Sequence, residues 1–389
     1  MQQSVISPAA AVVTTPWSSR IALSALSRYP LSEARWHYTD GLLFKGIFQL
    51  WQLTGDDRYW QNLVSYVDCF VDDSGQISSY RPDEYNIDQI NPGKLLFPLY
   101  RLTGAEKYRR AIWLLREQLR YHPRTHEGGF WHKKIYPYQM WLDGIYMGSP
   151  FYAEFAATFD EPTIFDDVAF QIRTLEKHTR DSYTGLLYHG WDESRQMPWA
   201  DPVTGCSAYF WGRAIGWYVM ALNDVLDFFP PDHPARPEFI TILNRTLAAV
   251  ARFQDEATGL WWQILDQGDR AGNYLEASGT SMFIYAIAKG VRHGYLDTSW
   301  LPVATRGFEG LLKHLVTVDD EGRVDLHGIC STAGLGGTPY RDGSFEYYVG
   351  EPIITNNLHG VGAFLNAAVE LESCLAHHHK PLMGETQII

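Results

Sequence analysis

The chain has 389 residues, which is enough for two domains or for one large closed architecture with an extensive core. Its 45 acidic and 32 basic side chains give a net charge of −13, which argues against a nucleic-acid surface, because phosphate binding depends on clustered Lys and Arg. The four cysteines are far apart and form no Cys-x-x-Cys pair, so neither a zinc knuckle nor a disulfide framework is indicated.

The sequence has no recognisable targeting or membrane-spanning segment. Residues Met1 to Val13 lack a basic region, and their apolar run is too short for the core of a signal peptide. No later segment approaches the roughly 20 apolar residues that a membrane span needs. We therefore expect a cytoplasmic protein with reduced thiols.

The hydrophobic pattern predicts an almost entirely helical chain whose helices come in antiparallel pairs. Two stretches share the pattern Leu-Thr-Gly-x-x-x-Tyr, starting at Leu53 and Leu102, in which the glycine ends one helix and a short turn opens the next. One set of helices is rich in Gly, Ala and aromatic residues and should be buried. These helices begin near Gly41, Pro92, Gly144, Ala208, Ser278 and Asn356.

The alternating set of helices carries more charge and has apolar residues on one side only, such as Ile164, Val168, Ile172 and Leu175. We expect these helices to form an outer ring. They run from Ser18 to Arg28, Arg58 to Asp72, Lys107 to Tyr121, Thr163 to Thr179, Pro237 to Phe253 and Ser299 to Val316. Six inner and six outer helices predict an all-α fold, an (α/α)6 barrel that forms a single domain over residues 1–389, with flexible ends at 1–15 and 376–389.

The loops that lead from an outer helix to the next inner helix are long and rich in Trp, Tyr, His, Asp and Gly. They cover residues 73–91, 122–142, 180–206, 254–277 and 319–355. All of them must lie on one face of the barrel, around the N-terminal ends of the inner helices, where helix dipoles favour anions. Loops this long in a compact domain are usually functional, so we expect the site at this face.

Asp143 is the strongest candidate for chemistry, because it stands in the aromatic and apolar segment from Tyr136 to Met147 at the start of a predicted helix. A carboxyl group with little water around it resists ionising, so it can hold a proton near neutral pH and donate it. Asp is also a preferred N-cap residue, and the sequence leaves this alternative open.

Other polar residues near the same mouth of the barrel can act with Asp143. A charged Asp88 would favour the protonated form of Asp143 by repulsion, unless it is only a loop or cap residue. Arg213 is costly inside a bundle unless its charge is met, either by an anionic ligand, which we favour, or by a structural salt bridge. His132 and His189 flank aromatic residues and either hydrogen-bond sugar hydroxyls or are structural.

Three consecutive histidines, residues 377–379, lie near the C-terminus. Consecutive residues on a helix cannot converge on one ion, so a solvated tail is favoured over a metal site. We expect neither a metal nor another cofactor.

Several segments resemble glycoside hydrolase family 105, the unsaturated rhamnogalacturonyl hydrolases, and the likeness spans nearly the whole chain. These segments are Trp141-Leu-Asp143-Gly-Ile-Tyr-Met147, Trp211-Gly-Arg213 with Gly216-Trp217, Arg341-Asp-Gly-Ser-Phe-Glu-Tyr-Tyr348, Glu351-Pro352 and Gly360-Val-Gly-Ala363. The resemblance implies an (α/α)6 barrel. It also implies a substrate made by pectin lyases, a short oligosaccharide whose nonreducing end is a 4,5-unsaturated galacturonate attached to rhamnose.

The resemblance implies a role for each candidate residue, in a reaction that does not begin at the anomeric carbon. Asp143 would protonate C4 of the vinyl ether and then, as a carboxylate, activate the water that adds at C5, with Asp88 supporting this cycle. Arg213 and Lys133 would hold the C5 carboxylate. The other expected substrate-binding residues are Trp141, Trp217, His132, His189, Met147 and Tyr38.

Three other functions fit parts of this pattern. A family 88-like unsaturated glucuronyl hydrolase, acting on glycosaminoglycan or ulvan fragments, would use the same chemistry on a different partner sugar. A sugar epimerase on the same barrel would need His189 to face His327 or His359 across the substrate. A noncatalytic sugar-binding protein would keep the aromatic residues without needing Asp143.

Overall fold

The computed structural model describes residues 15–379 and contains thirteen α-helices in this range, twelve of which form an inner and an outer ring. The inner helices are α2 (Tyr38–Thr54), α4 (Leu96–Thr103), α6 (Leu142–Phe159), α8 (Gly212–Leu226), α10 (Ala277–Arg292) and α13 (Leu358–His379). The outer helices are α1 (Trp17–Arg28), α3 (Asp57–Asp68), α5 (Glu106–Tyr121), α7 (Thr163–Thr179), α9 (Ala235–Ala251) and α11 (Leu301–His314). The short α12 (Phe345–Gly350) lies in the loop before α13.

The contacts between helices close the inner ring. Each inner helix packs on the next one along the chain, and α13 returns to pack on α2. The second inner position is shared by α4 and the 3₁₀ segment Ile87–Leu95 that precedes it. Outer helices α3, α5, α7, α9 and α11 pack on the inner helix paired with each, and α1 packs on α13. The predicted (α/α)6 barrel is therefore confirmed.

The predicted burial of the two rings is also confirmed. Inner helix α8 is buried along its whole length, whereas outer helix α7 buries only the side that carries its apolar stripe. Gly55 and Gly104 adopt the left-handed conformation, with φ of 70° and 68°, and end α2 and α4 as the repeated pattern predicts.

Some helix ends and two small sheets differ from the expectation. The second inner α-helix, predicted from near Pro92, begins only at Leu96, because proline removes a backbone donor and disturbs the preceding turn. Strand β1 (Gln139–Trp141) pairs antiparallel with β2 (Gly190–Asp192), and β3 (Val316–Val318) pairs with β4 (Val324–Leu326). Three-residue strands are too short to show an alternating pattern in the sequence.

Helix α13 continues through His379, the last described residue. Most of the predicted flexible ends, residues 1–14 and 380–389, and the side chains of His378 and His379 lie outside the described residues. Over residues 15–379, no helix combines the length and the apolar character needed to cross a membrane. The cytoplasmic location stays a prediction.

Candidate active site

The candidate site is a cavity of about 150 Å³ at the mouth of the barrel, where inner helices begin. Tyr38 is the first residue of α2 and Asp143 is the second residue of α6. The predicted site residues that line the cavity are Tyr38, Asp88, His132, Lys133, Trp141, Asp143 and Met147. Its walls also include His37, Asn86, Thr332, Ala333 and Arg341, which were not predicted.

The sheet of β1 and β2 brings Asp143 and His189 together. Trp141 of β1 pairs with Gly190 of β2, and the amide of Leu142 donates to the carbonyl of His189 over 3.0 Å. Asp143 follows Leu142, whose amide bonds to His189, so the sheet places the side chains of Asp143 and His189 next to each other. Nε2 of His189 lies 3.1 Å from Oδ2 of Asp143.

The loop that carries His132 is tied to the same sheet. The amide of His132 donates to the carbonyl of Gln139 over 2.7 Å, and the carbonyl of His132 accepts from the amide of Ile87 over 3.3 Å. The absence of a side chain at Gly144 lets the His132 ring approach, since a Cβ there would lie 3.1 Å from Nδ1. Backbone hydrogen bonds therefore fix His132 between Asp88 and the start of α6.

Asp143 does not occupy the N-cap position of α6, which belongs to Trp141. Asp143 is only 9 % exposed, and among residues 15–379 its buried Oδ2 has no hydrogen-bond partner. Nε2 of His189 lies close to this oxygen, but the two atoms are not aligned for a hydrogen bond. Asp143 therefore lines the cavity with a carboxyl group whose inner oxygen faces His189.

Tyr348 of α12 orients His189 from the opposite side. Its hydroxyl lies 2.7 Å from Nδ1 of His189. Burial raises the pKa of Tyr348 well above its usual value, so the phenol keeps its proton and can donate a hydrogen bond to Nδ1. In the neutral imidazole the proton then sits on Nε2, facing Asp143. Sequence reasoning missed this role of Tyr348, although the residue ends one of the segments that carry the family resemblance.

Asp88 is ionised and paired within the cavity. Its Oδ2 lies 2.7 Å from Nζ of Lys133, and its Oδ1 lies 3.4 Å from Nε2 of His132. Burial acts to raise the pKa of Asp88, but the neighbouring Lys133 and His132 outweigh burial and hold this pKa below its usual value. Burial also lowers the pKa of His132 to about 4, so His132 is neutral at neutral pH.

Aromatic rings form one wall of the cavity. Trp141 stacks between His132 and Tyr136, with ring centroids 4.2 and 4.9 Å away. The guanidinium of Arg341 lies 5.8 Å from the Trp141 ring and donates to the Tyr136 hydroxyl over 2.7 Å. A flat ring beside a cation suits a sugar that carries a carboxylate.

Arg213 is buried behind the cavity and does not line it. Its guanidinium donates to Oγ of Ser278 over 2.8 Å, to the carbonyl of Ser331 over 3.0 Å and to the carbonyl of Cys330, and it lies 3.5 Å from Oε1 of Glu276. The charge of Arg213 is therefore balanced by Glu276 and by these hydrogen bonds within the protein, which is the structural salt bridge that the sequence left open as an alternative. The expected contact of Arg213 with a substrate carboxylate stays a prediction.

Trp217 and His189 are also buried outside the lining of the cavity. The Trp217 ring stacks on Tyr146 with centroids 4.7 Å apart and meets Tyr38 edge-on at 6.1 Å. It therefore supports the Tyr38 wall from behind, and its expected contact with a sugar stays a prediction.

The histidines that an epimerase would need have separate partners. Nε2 of His359 is 2.7 Å from the Tyr38 hydroxyl, whereas His327 lies between the hydroxyls of Thr317 and Thr355. Neither of these histidines is paired with His189.

Comparisons with known proteins identify the family. A family model described as Glycosyl Hydrolase Family 88 matches residues 17–375. A solved family 105 glycoside hydrolase from C. acetobutylicum ATCC 824 is 46% identical, with a TM-score of 0.90, and the match covers 92% of this chain and 100% of that one. The unsaturated rhamnogalacturonyl hydrolase YesR of Bacillus subtilis is 27% identical over 295 residues, which are 74% of this chain and 78% of YesR. An unsaturated 3S-rhamnoglycuronyl hydrolase of Alteromonas sp. is 24% identical over 232 residues, which are 59% of this chain and 50% of that protein.

A helical barrel with a carboxylate-bearing, ring-walled cavity and these relatives defines a glycoside hydrolase. The chain matches the family model described as Glycosyl Hydrolase Family 88. Its 46% identity to the C. acetobutylicum enzyme makes it a member of family 105. The family resemblance found in the sequence is thereby confirmed.

Proposed function

We propose that this enzyme releases 4,5-unsaturated galacturonate from the nonreducing end of rhamnogalacturonan oligosaccharides by hydrating the C4=C5 double bond. The observation that carries the proposal is the largely buried carboxyl of Asp143 on the wall of a cavity that Trp141 also lines. The similarity to YesR, an unsaturated rhamnogalacturonyl hydrolase, supports the choice of substrate.

Asp143 acts twice in this reaction. Its proton goes to C4, where the electrons of the double bond form the new C–H bond and leave a positive charge shared by C5 and the ring oxygen. The resulting carboxylate takes a proton from a water molecule while the water oxygen bonds to C5. The hemiketal then breaks its bond between C5 and the ring oxygen to give a C5 ketone, and the hemiacetal left at C1 releases the neighbouring sugar.

The neighbours of Asp143 support both steps. Ionised Asp88 contributes a negative charge that stabilises the positive charge formed at C5. The Nε2 proton of His189 can stabilise the Asp143 carboxylate after the transfer. The substrate carboxylate needs a cation, and Lys133 and Arg341 are the cations on the cavity wall among the described residues.

A second candidate is an unsaturated uronyl hydrolase that acts on a uronate attached to a different sugar, as the similarity to the Alteromonas enzyme suggests. The chemistry at Asp143 would be the same, and only the contacts to the second sugar would change.

The test uses unsaturated disaccharides with rhamnose, glucosamine or xylose in the second position. We expect the ultraviolet band of the conjugated enol uronate to disappear, with kcat/KM for the rhamnose disaccharide higher than for the others by about tenfold or more. Persistence of the band with every disaccharide would overturn the proposal. Faster turnover of a different disaccharide would support the second candidate.

A further inference from the structure

We propose that a second cavity beside the candidate site binds a further acidic sugar of a longer oligosaccharide, and that Arg35 recognises its carboxylate. This inference rests on the proposed function, because it concerns the same substrate. The second cavity has a volume of about 620 Å³ and lies between the start of α2 and the loop that leads into α13. It shares the wall residues His37, Tyr38 and Thr332 with the candidate site.

The sizes of the two cavities indicate how a substrate is divided between them. The cavity at Asp143, at about 150 Å³, is smaller than the roughly 300–1,000 Å³ of common ligand pockets, whereas the second cavity falls within this range. An oligosaccharide with its unsaturated end at Asp143 must therefore extend out of the first cavity. Because His37, Tyr38 and Thr332 border both cavities, the second cavity is the adjoining space into which the chain can extend.

Arg35 is an unpaired cation on the wall of the second cavity. Its side chain is exposed, and among residues 15–379 its guanidinium has neither an ion pair nor a hydrogen bond. Its backbone is nevertheless fixed, because the Arg35 amide donates to Oδ1 of Asp40 over 3.0 Å and its carbonyl accepts from the Tyr66 hydroxyl over 2.9 Å. A free guanidinium on a fixed backbone can bind a carboxylate without a rearrangement of the main chain.

The acidic residues of the second cavity leave this cation available. The Asp40 carboxylate is already engaged by the Arg35 amide and by the Thr39 hydroxyl at 3.1 Å. Glu33 also lines the cavity, but it is exposed and lies beyond ion-pair distance of Arg35. In rhamnogalacturonan, galacturonate alternates with rhamnose, so a carboxylate recurs two sugars beyond the unsaturated end.

The experiment compares kcat/KM for the unsaturated tetrasaccharide with kcat/KM for the unsaturated disaccharide. We expect this ratio to be ~10 or more in the wild type, to fall to about 1 in Arg35→Gln and to be intermediate in Arg35→Lys, as the loss of one charge-assisted contact predicts. Arg120→Gln, which removes an exposed arginine of α5 outside both cavities, should keep the wild-type ratio.

A tetrasaccharide whose second uronate is methyl-esterified separates charge from length. With the wild type, it should behave like the disaccharide. A wild-type ratio near 1, or a ratio that Arg35→Gln leaves unchanged, would overturn the inference.

Calorimetric titration separates failure of this inference from failure of the proposed function. If no unsaturated substrate is turned over, the proposed function fails, but binding to Asp143→Asn still reports on Arg35. Tighter binding of the tetrasaccharide than of the disaccharide, lost when Arg35→Gln is added, would support the inference. Equal affinities, or no binding, would overturn it.

Discussion

The mouth and the base of the barrel differ in how fully their buried polar groups are paired. At the mouth, Oδ2 of Asp143 and Nδ1 of His132 are buried and have no hydrogen-bond partner among the residues that the structure describes. At the base, Asp224 is paired with Lys45 at 2.5 Å and with Lys289 at 2.9 Å. Buried polar groups without partners are costly and persist where a ligand can pair them, whereas paired charges can be purely structural.

Lys94 departs from this pairing at the base. Within the part of the chain that the structure describes, its Nζ has no hydrogen-bond partner, and it lies 3.8 Å from the centre of the Tyr146 ring. Burial lowers the pKa of Lys94 well below its usual value, so the uncharged amine is favoured there. The comparison teaches that a functional site is distinguished from the structural part of the barrel by the partners of its buried polar groups, more than by how many such groups it has.

Asp143→Asn should have the largest effect on activity. Loss of the general acid should slow disappearance of the enol uronate band by ~10²–10⁴-fold. The free energy of unfolding should change little, because the buried Oδ2 makes no hydrogen bond in the protein. Thermal unfolding and the ultraviolet assay measure the two effects, and near-normal turnover would remove Asp143 from the mechanism.

Asp224→Asn should have the opposite signature at the base. It leaves Lys45 and Lys289 without their counter-charge, and breaking a buried pair of this kind costs roughly 3–5 kcal/mol of unfolding free energy. Urea denaturation measures this loss, with the exposed Asp232→Asn as the matched control. Unchanged stability would mean that the ion pairs do not hold the base together.

Lowering the pH should decrease the free energy of unfolding, because His132 at the mouth is buried in its neutral form. Burial lowers its pKa in the folded protein to about 4, whereas the unfolded value is about 6.5. The unfolded chain therefore binds more protons between these pH values, and stability falls as the pH drops through this window. His132→Asn should reduce the loss of unfolding free energy between pH 7 and 4.5 by roughly 2 kcal/mol.

Urea denaturation at the two pH values measures this difference. His126→Asn is the control, because its histidine side chain is 80% exposed. If the pH dependence of His132→Asn matches that of the wild type, the buried neutral histidine is not its cause.

Tyr348→Phe should have the smallest effect. It removes the hydrogen bond that sets the His189 tautomer and keeps the ring that stacks on Trp211. We expect kcat to fall about 3- to 10-fold, with an altered pH–rate profile. Tyr347→Phe on the same helix is the matched control, and an unaltered profile for Tyr348→Phe would contradict the positioning role.

Local sequence patterns were sufficient to predict the rings of helices and the mouth. Apolar spacing and loop length report on neighbouring residues, and Asp88 and Asp143 both lie next to the predicted starts of inner helices. The conformations of Gly55 and Gly104 followed from the same kind of local signal.

Contacts between distant segments were not predictable in this way. The carbonyl of Ser331, which accepts from Arg213, is 118 residues away in sequence, and Tyr348 is 159 residues from His189. The carbonyls of Cys330 and Ser331, which accept from Arg213, and the hydroxyl of Tyr348 all come from the last long loop, whose path no periodicity in the sequence reveals.

Proton NMR in D₂O tests the central role of Asp143 most directly. With the unsaturated rhamnose disaccharide, the wild type should remove the vinyl C4–H signal and incorporate deuterium at C4 as the second sugar is released. Asp143→Asn should leave the vinyl signal intact. Release of the second sugar by the wild type with the vinyl signal unchanged, or wild-type loss of that signal in Asp143→Asn, would contradict the account.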